Sequence, residues 1–273
     1  MTLLFEMFSS PFLVRALIAG ALAALCANLL GVPLVLKRYS MIGDGLSHAG
    51  FGALALATAL NAAPLAVAIP LVLLAAFLLL RLRENGRLKG DAAIALVSGS
   101  ALAIGVIIMA KSGAQADVYN YLFGSILAVK KADFVLSIVV SAGVLLLYVL
   151  SYHQIYAITF DETFARATGT RAAAYNALIA LLTALVIVLG MRLMGAMLIS
   201  SLLIFPALTA MRVCRSYRGV VITSTILSVL CFVAGLVLSY VMDTPSGATI
   251  VVVNLLAFLV FCGLGAVKRG RGI

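Results

Sequence analysis

The sequence predicts an all-α protein, a polytopic transmembrane helical bundle of about nine spans, with eight to ten as the range. Three observations carry that expectation. First, 64% of the 273 residues are hydrophobic and 10% charged, with a mean hydropathy of +1.23. A soluble domain averages about 45–50% apolar and about 25% charged residues, and a globule of this length has too little interior to hide the surplus. Second, the apolar residues fall into runs of about 20, the length a helix needs to cross a ~30 Å hydrocarbon layer. Third, the basic residues gather in alternate loops. Composition thus excludes a soluble enzyme, a nucleic-acid binder and a disordered chain. The formal charge of +10 reads as a topology signal, with no nucleic-acid partner implied.

The apolar runs place spans near residues 12–36, 40–60, 64–82, 92–110, 133–152, 172–191, 194–212, 219–242 and 247–267. Polar or helix-breaking clusters separate them: Lys37-Arg38, Asn61 to Pro64, Arg81 to Asp91, Lys111 to Asp117, Tyr152 to Arg171, Arg212 to Gly219 and Asp243 to Gly247. The stretch 118–128 is too short to cross and reads as a re-entrant or interfacial piece. The N-terminal segment lacks a basic region and a small-residue cleavage site, so the first run reads as a retained span. The whole chain, 1–273, reads as one transmembrane domain.

Loop charges orient the bundle. Lys37, Arg38, Arg81, Arg83, Arg87, Lys89, Arg166, Arg171, Arg212, Arg215, Arg218, Lys268, Arg269 and Arg271 fall on one side, against Arg15, Lys111, Lys130, Lys131 and Arg192 on the other. The richer side is cytoplasmic by the positive-inside rule, which puts the N-terminus outside and the C-terminus in the cytoplasm. The expected location is the cell (inner) membrane. Small residues at helical spacing, such as Gly20/Ala24 and Gly99/Ala103, permit close helix approach. Cys26, Cys214, Cys231 and Cys262 form no C-x-x-C pair, which argues against a disulfide framework or zinc finger.

Eight of the nine acidic residues lie in loops or at span ends; Asp44 falls within the second span. An ionised carboxylate in lipid is costly, so such a residue faces a bundle interior or a water-filled path. His48 follows four residues later, one helical turn along the same face. Oxygen plus imidazole nitrogen suits Zn²⁺, Mn²⁺ or Fe²⁺, provided other helices or a second subunit supply further ligands. The spacing alone also accommodates a proton relay, and most readily a structural hydrogen-bonded pair. His153, at the cytoplasmic end of a span, reads as structural. Met191, Met194, Met197 and Met211 read as adaptable core filler.

The cytoplasmic stretch about 159–171 predicts a short surface helix. Thr159 and Glu162 have capping-box spacing, Glu162 and Arg166 an i,i+4 ion pair, and Gly169 a stop. Phe160 and Phe164 then share one face, fit for lipid headgroups or a partner's groove. No G-x-x-x-x-G-K-[ST] loop occurs, so any nucleotide that drives transport is hydrolysed by another polypeptide. No nucleophile–base–acid set is visible, so the chain is not expected to be an enzyme.

Gly43-Asp-Gly-Leu-Ser-His-Ala49, preceded by Leu36-Lys-Arg-Tyr-Ser-Met-Ile42, resembles the second-span motif of the membrane subunits of ABC importers for zinc, manganese and iron. Phe160-Asp-Glu-Thr-Phe-Ala-Arg-Ala-Thr-Gly169 resembles the family's cytoplasmic coupling segment. Met194 to Ala210 is similar to its late Gly, apolar, Ser-Leu-Leu-Ile-x-Pro-Ala span, and Asp243 to Thr249 to the turn before its last span. Tyr39 and Gly45 are small departures. The resemblance implies a homodimeric, occasionally heterodimeric, permease with its path at the subunit interface. It implies a cytoplasmic ATP-binding subunit docked on the coupling segment and an extracytoplasmic metal-binding protein. Asp44 and His48 match the family's metal-contacting positions, and Phe160, Asp161, Glu162, Phe164, Ala165, Arg166 and Gly169 its ATPase-contact region. The implied cargo is a divalent transition metal, with zinc favoured and manganese or iron also fitting, and no permanently bound cofactor. A proton- or sodium-coupled carrier and a non-transporting scaffold are the rival classes.

Overall fold

The computed structural model describes residues 11–84, 90–112, 122 and 131–270. The expected interfacial piece at 118–128 falls almost wholly outside them. Among the described residues there are eleven helices and no strand: α1 (Pro11–Leu36), α2 (Met41–Ala59), α3 (Pro64–Glu84), α4 (Gly90–Ser112), α5 (Lys131–Leu150), α6 (Tyr152–Phe160), α7 (Glu162–Ala167), α8 (Ala172–Met194), α9 (Ala196–Met211), α10 (Tyr217–Met242) and α11 (Ser246–Gly270). The nine long helices match the nine apolar runs to within a few residues. Seven of them are long and apolar enough to cross a membrane. The other two are α2, its hydropathy diluted by Asp44, Ser47, His48 and four glycines, and α9, which has 16 residues.

Layering inverts that of a soluble protein. α1 and α8 are the most enclosed of the seven apolar helices, with α9 and α10 also packed on α1 and with α2 clasped by α3 and α4. The perimeter is apolar instead: Leu74, Ile107, Val139, Leu146, Leu230 and Leu259 all point outward. Surfaces of this kind are stable against hydrocarbon, where the penalty falls on polar groups. Interior polar side chains accordingly find partners across helices. The Asn28 amide of α1 donates to the hydroxyls of Ser224 (2.9 Å) and Thr225 (3.2 Å) on α10, and Ser228 donates to the Ala24 carbonyl (3.0 Å). Such bonds contribute about 0.6 kcal/mol each on average in membranes.

Short turns fix the succession of helices. α1 ends at a tight turn in which Arg38 takes a positive φ of 59° and the Tyr39 amide bonds the Leu34 carbonyl at 2.7 Å. Gly195, at φ 91° and ψ 157°, holds a conformation open to glycine alone, and so parts α8 from α9. Contacts gather residues from separate loops at each end of the bundle. At one end Lys37 meets Glu162, Tyr217 meets Tyr156 and Phe160, and a cavity brings Arg38 and Tyr39 together with Leu80 and Asp91. Elsewhere, Arg192 at the close of α8 pairs with Asp133 at the start of α5 (3.1 Å), joining two segments assigned to the opposite side.

Gly31 marks the closest crossing. A Cβ there would stand 1.9 Å from the Leu203 carbonyl oxygen, whereas one at Gly143 would meet nothing within 4 Å. Gly31→Ala should therefore push α1 off α9 at a cost of about 1–3 kcal/mol, visible as a lowered melting temperature in detergent. Gly143→Ala should melt with the wild type.

Candidate functional site

Asp44 and His48 project from α2 one turn apart, with His48 Nε2 3.6 Å from Asp44 Oδ2. That is beyond hydrogen-bonding distance but suited to a shared ion, since two donors about 2.1 Å from a tetrahedral metal stand about 3.4 Å apart. The Asp44 side chain is 42% exposed and that of His48 22%, so the pair lies on a face that the described residues leave partly open. The carboxylate lies in the first turn of α2 rather than in mid-span. His48 Nδ1 is buried with no hydrogen-bond partner. Among the described residues no cluster of three or more His, Cys, Asp or Glu could hold a metal; Asp44 and His48 bring together two potential donors and no third. His153 stands apart from them, edge-on to Tyr152 with ring centroids 5.7 Å apart.

Sequence reasoning missed the support beneath this pair. Ser47 lies on an adjoining, buried flank of α2, where its hydroxyl donates to the Asp44 carbonyl (2.8 Å) and accepts from Ser200 of α9 (3.3 Å). Both serines sit inside sequence blocks singled out above, but only packing pairs them.

The cytoplasmic segment differs from its expected form. Helix does not run through 159–171: Thr159 and Phe160 close α6, the chain extends at Asp161 (φ −144°, ψ 95°), and α7 then spans six residues. Thr159 is not the cap. Its hydroxyl donates back to the Ile155 carbonyl (2.6 Å), and Asp161 Oδ1 accepts the Phe164 amide (2.8 Å). The extended conformation of Asp161 is the one an N-cap requires, and its carboxylate is a strong acceptor. Phe160 and Phe164 therefore sit on separate helices, although both are exposed, at 60% and 65%. The Glu162–Arg166 pair forms as expected, Gly169 ends the segment at φ 89°, and Ala165 is buried against the body. Tyr148, Tyr152, Tyr156 and Phe160, spaced every four residues along α5 and α6, form an aromatic ladder. Tyr217 of α10 lies against the last three, and its hydroxyl meets that of Tyr148.

Glu162 also reaches where no sequence signal pointed. Its Oε2 takes a hydrogen bond from Lys37 Nζ at 3.1 Å, and the same ammonium donates to Asn176 Oδ1 of α8. Burial pushes the Glu162 carboxyl up, but hydrogen bonds with Asn176, Lys37 and Arg166, together with the Lys37 charge, outweigh it and hold the carboxyl below its ordinary value.

The family model described as ABC 3 transport family matches residues 9–264. The chain belongs to the ABC 3 transport family. It is 33% identical over 249 residues to the manganese import system permease protein ScaB of Streptococcus gordonii, covering 91% of this chain and 90% of that protein. Over 260 residues it is 30% identical to the high-affinity zinc uptake system membrane protein ZnuB of Haemophilus influenzae, covering 94% and 97%. The solved structure of PsaBC from Streptococcus pneumoniae in complex with Fab superposes with a TM-score of 0.86 at 32% identity, over 95% of this chain and 94% of that one. As a member of the ABC 3 transport family, the chain is a multi-pass membrane permease of metal ABC transporters, a transport component and not an enzyme.

Because the folded state lowers the Glu162 pKa, its carboxylate adds stability that is whole above the ordinary value of 4.5 and is lost as pH falls through the lowered one. Glu162→Gln should cost about 2–4 °C in melting temperature at neutral pH. That difference should close in acid as the wild-type carboxylate protonates, which a pH series of thermal melts reads directly.

Proposed function

We propose that the chain is the permease subunit of an ATP-driven importer that carries a divalent transition metal, zinc being the favoured cargo, through a path at the interface of two copies. The observation that carries the reading is the half-site on α2, two metal-binding donors 3.6 Å apart on a face the described residues leave partly open. A two-fold axis along that face doubles them to about four ligands, the usual number for Zn²⁺. Asp plus His fits Mn²⁺ and Fe²⁺ as well, and the relatives' names divide among manganese, zinc and chelated iron. Coordination by a few partly solvated ligands suits passage, because the ion must also leave. Ligands must be deprotonated, so acid slows uptake.

Nine crossings with the N-terminus outside and the C-terminus cytoplasmic agree with the sorting of the ends. Lys37, Asp91, Glu162 and Tyr217 share one end, the one with the surplus of Lys and Arg. On that side the exposed Phe164, carried on α7, is the knob on which a cytoplasmic ATPase pair docks, while an extracytoplasmic metal-binding protein delivers the ion at the other end.

Asp44→Ala and His48→Ala should each cut ATP-dependent metal uptake at least about tenfold while the permease still co-purifies with its ATPase. Normal metal-dependent growth of both mutants would sink the assignment. Phe164→Asp should abolish co-purification with the ATPase, and its retention would remove α7 as the docking helix. Uptake sensitive to vanadate and indifferent to protonophores separates the importer from a proton-coupled carrier.

A further inference from the structure

The ATPase-docking segment and the metal half-site are joined by a physical link. Lys37 stands on the turn between α1 and α2, its side chain 9% exposed, and its ammonium is held at once by Glu162 of α7 and Asn176 of α8. The turn is stiff: the Lys37 amide bonds the Pro33 carbonyl (3.0 Å), that of Arg38 bonds Val35 (3.1 Å) and that of Tyr39 bonds Leu34 (2.7 Å). Asp44 follows Lys37 by seven residues, already inside the first turn of α2. A force on α7 thus passes through one ion pair and one tight turn to the helix that holds Asp44 and His48. There is also room for that turn to shift. A cavity of about 210 Å³, bounded by Pro33, Leu34, Ile42, Leu79, Ile94 and Ile179, lies beside Lys37 and Asn176. Close-packed interiors transmit displacement, and a void next to a moving part removes the need to repack its neighbours.

We infer that Lys37 is a positioning residue for transport, the strut that makes the ATPase-driven motion of α7 move α2 and its metal ligands. This rests on the importer reading and adds to it the route of coupling. An ion pair suits the task better than apolar contact, because a largely desolvated charge that loses its partner is heavily penalised, so the groups it joins move together.

The test uses the complete importer, this permease with its ATPase and its metal-binding protein, in proteoliposomes. Uptake of Zn²⁺ or Mn²⁺ and phosphate release are measured on the same vesicles. Lys37→Met is expected to keep the ATPase bound and to keep the hydrolysis seen without metal, while metal moved per ATP falls about tenfold, within the range of ordinary coupling between sites. Lys37→Arg, which can still reach Glu162, is expected to restore most of that ratio. A merely structural lysine would lower the melting temperature without changing metal moved per ATP. A wild-type ratio in Lys37→Met, or no rescue by Lys37→Arg, overturns the inference. If Lys37→Met does not assemble, Asn176→Ala decides, since it removes one of the two acceptors: a partial fall in the ratio supports the strut and an unchanged ratio overturns it. Wild-type vesicles that move no metal would overturn the importer reading and this inference together. Wild-type vesicles that transport normally beside an equally coupled Lys37→Met overturn this inference alone.

Discussion

The fold depends on how closely helices can approach α1. Lipid tails are as apolar as leucine, so helices in a bilayer gain little from hiding apolar surface and must associate through packing and interhelical hydrogen bonds. α1 meets that requirement through its middle turns, from Ala24 to Gly31. The absence of a side chain at Gly31 admits the backbone of α9, Asn28 holds Ser224 and Thr225 of α10, the Ala24 carbonyl takes a bond from Ser228, and the Cys26 thiol points at the Ser141 carbonyl of α5. Large apolar side chains fill the interior, such as Leu30, Phe51 and Phe232, and also cover the perimeter, such as Leu230 and Leu259.

The same helix ends at the turn that sends α2 back along the bundle. α2 is unusual among the long helices in carrying a carboxylate and an imidazole, and its polarity is tolerated because each part is used. Ser47 faces inward to Ser200, and Asp44 and His48 share a partly exposed face. Under the proposed function this is a useful compromise: the helix is anchored through Ser47 while Asp44 and His48 stay partly exposed.

Much of this was legible in the residues. The nine apolar runs appear as helices with nearly the expected bounds, since length and hydropathy are local properties and a helix satisfies its backbone within itself. Asp44 and His48 stood out because acidic residues are scarce in the apolar runs and a spacing of four on a helix means one face. The segment at 159–171 was only partly legible. Thr159 matched a capping pattern, yet Asp161 is the cap, because the helix before it continues through Phe160 and uses the Thr159 hydroxyl internally. Local pattern offers two caps there, and the path of α6 along the aromatic ladder around Tyr217 chooses between them.

The sequence by itself determined the class of the protein and its helices, and it singled out Asp44 and His48 as neighbours on one helix face, because each follows from composition or from periodicity within one element. Tertiary structure alone decided which elements meet. Lys37 finds Glu162 across 125 positions of chain and Ser200 finds Ser47 across 153, and no local period encodes such separations. It also decided that the Asp44–His48 face stays partly open, since burial depends on where the other helices close. An intramembrane carboxylate and imidazole read from the sequence as metal site, proton relay or structural pair. Their 3.6 Å separation on a partly open face gives that choice its physical terms.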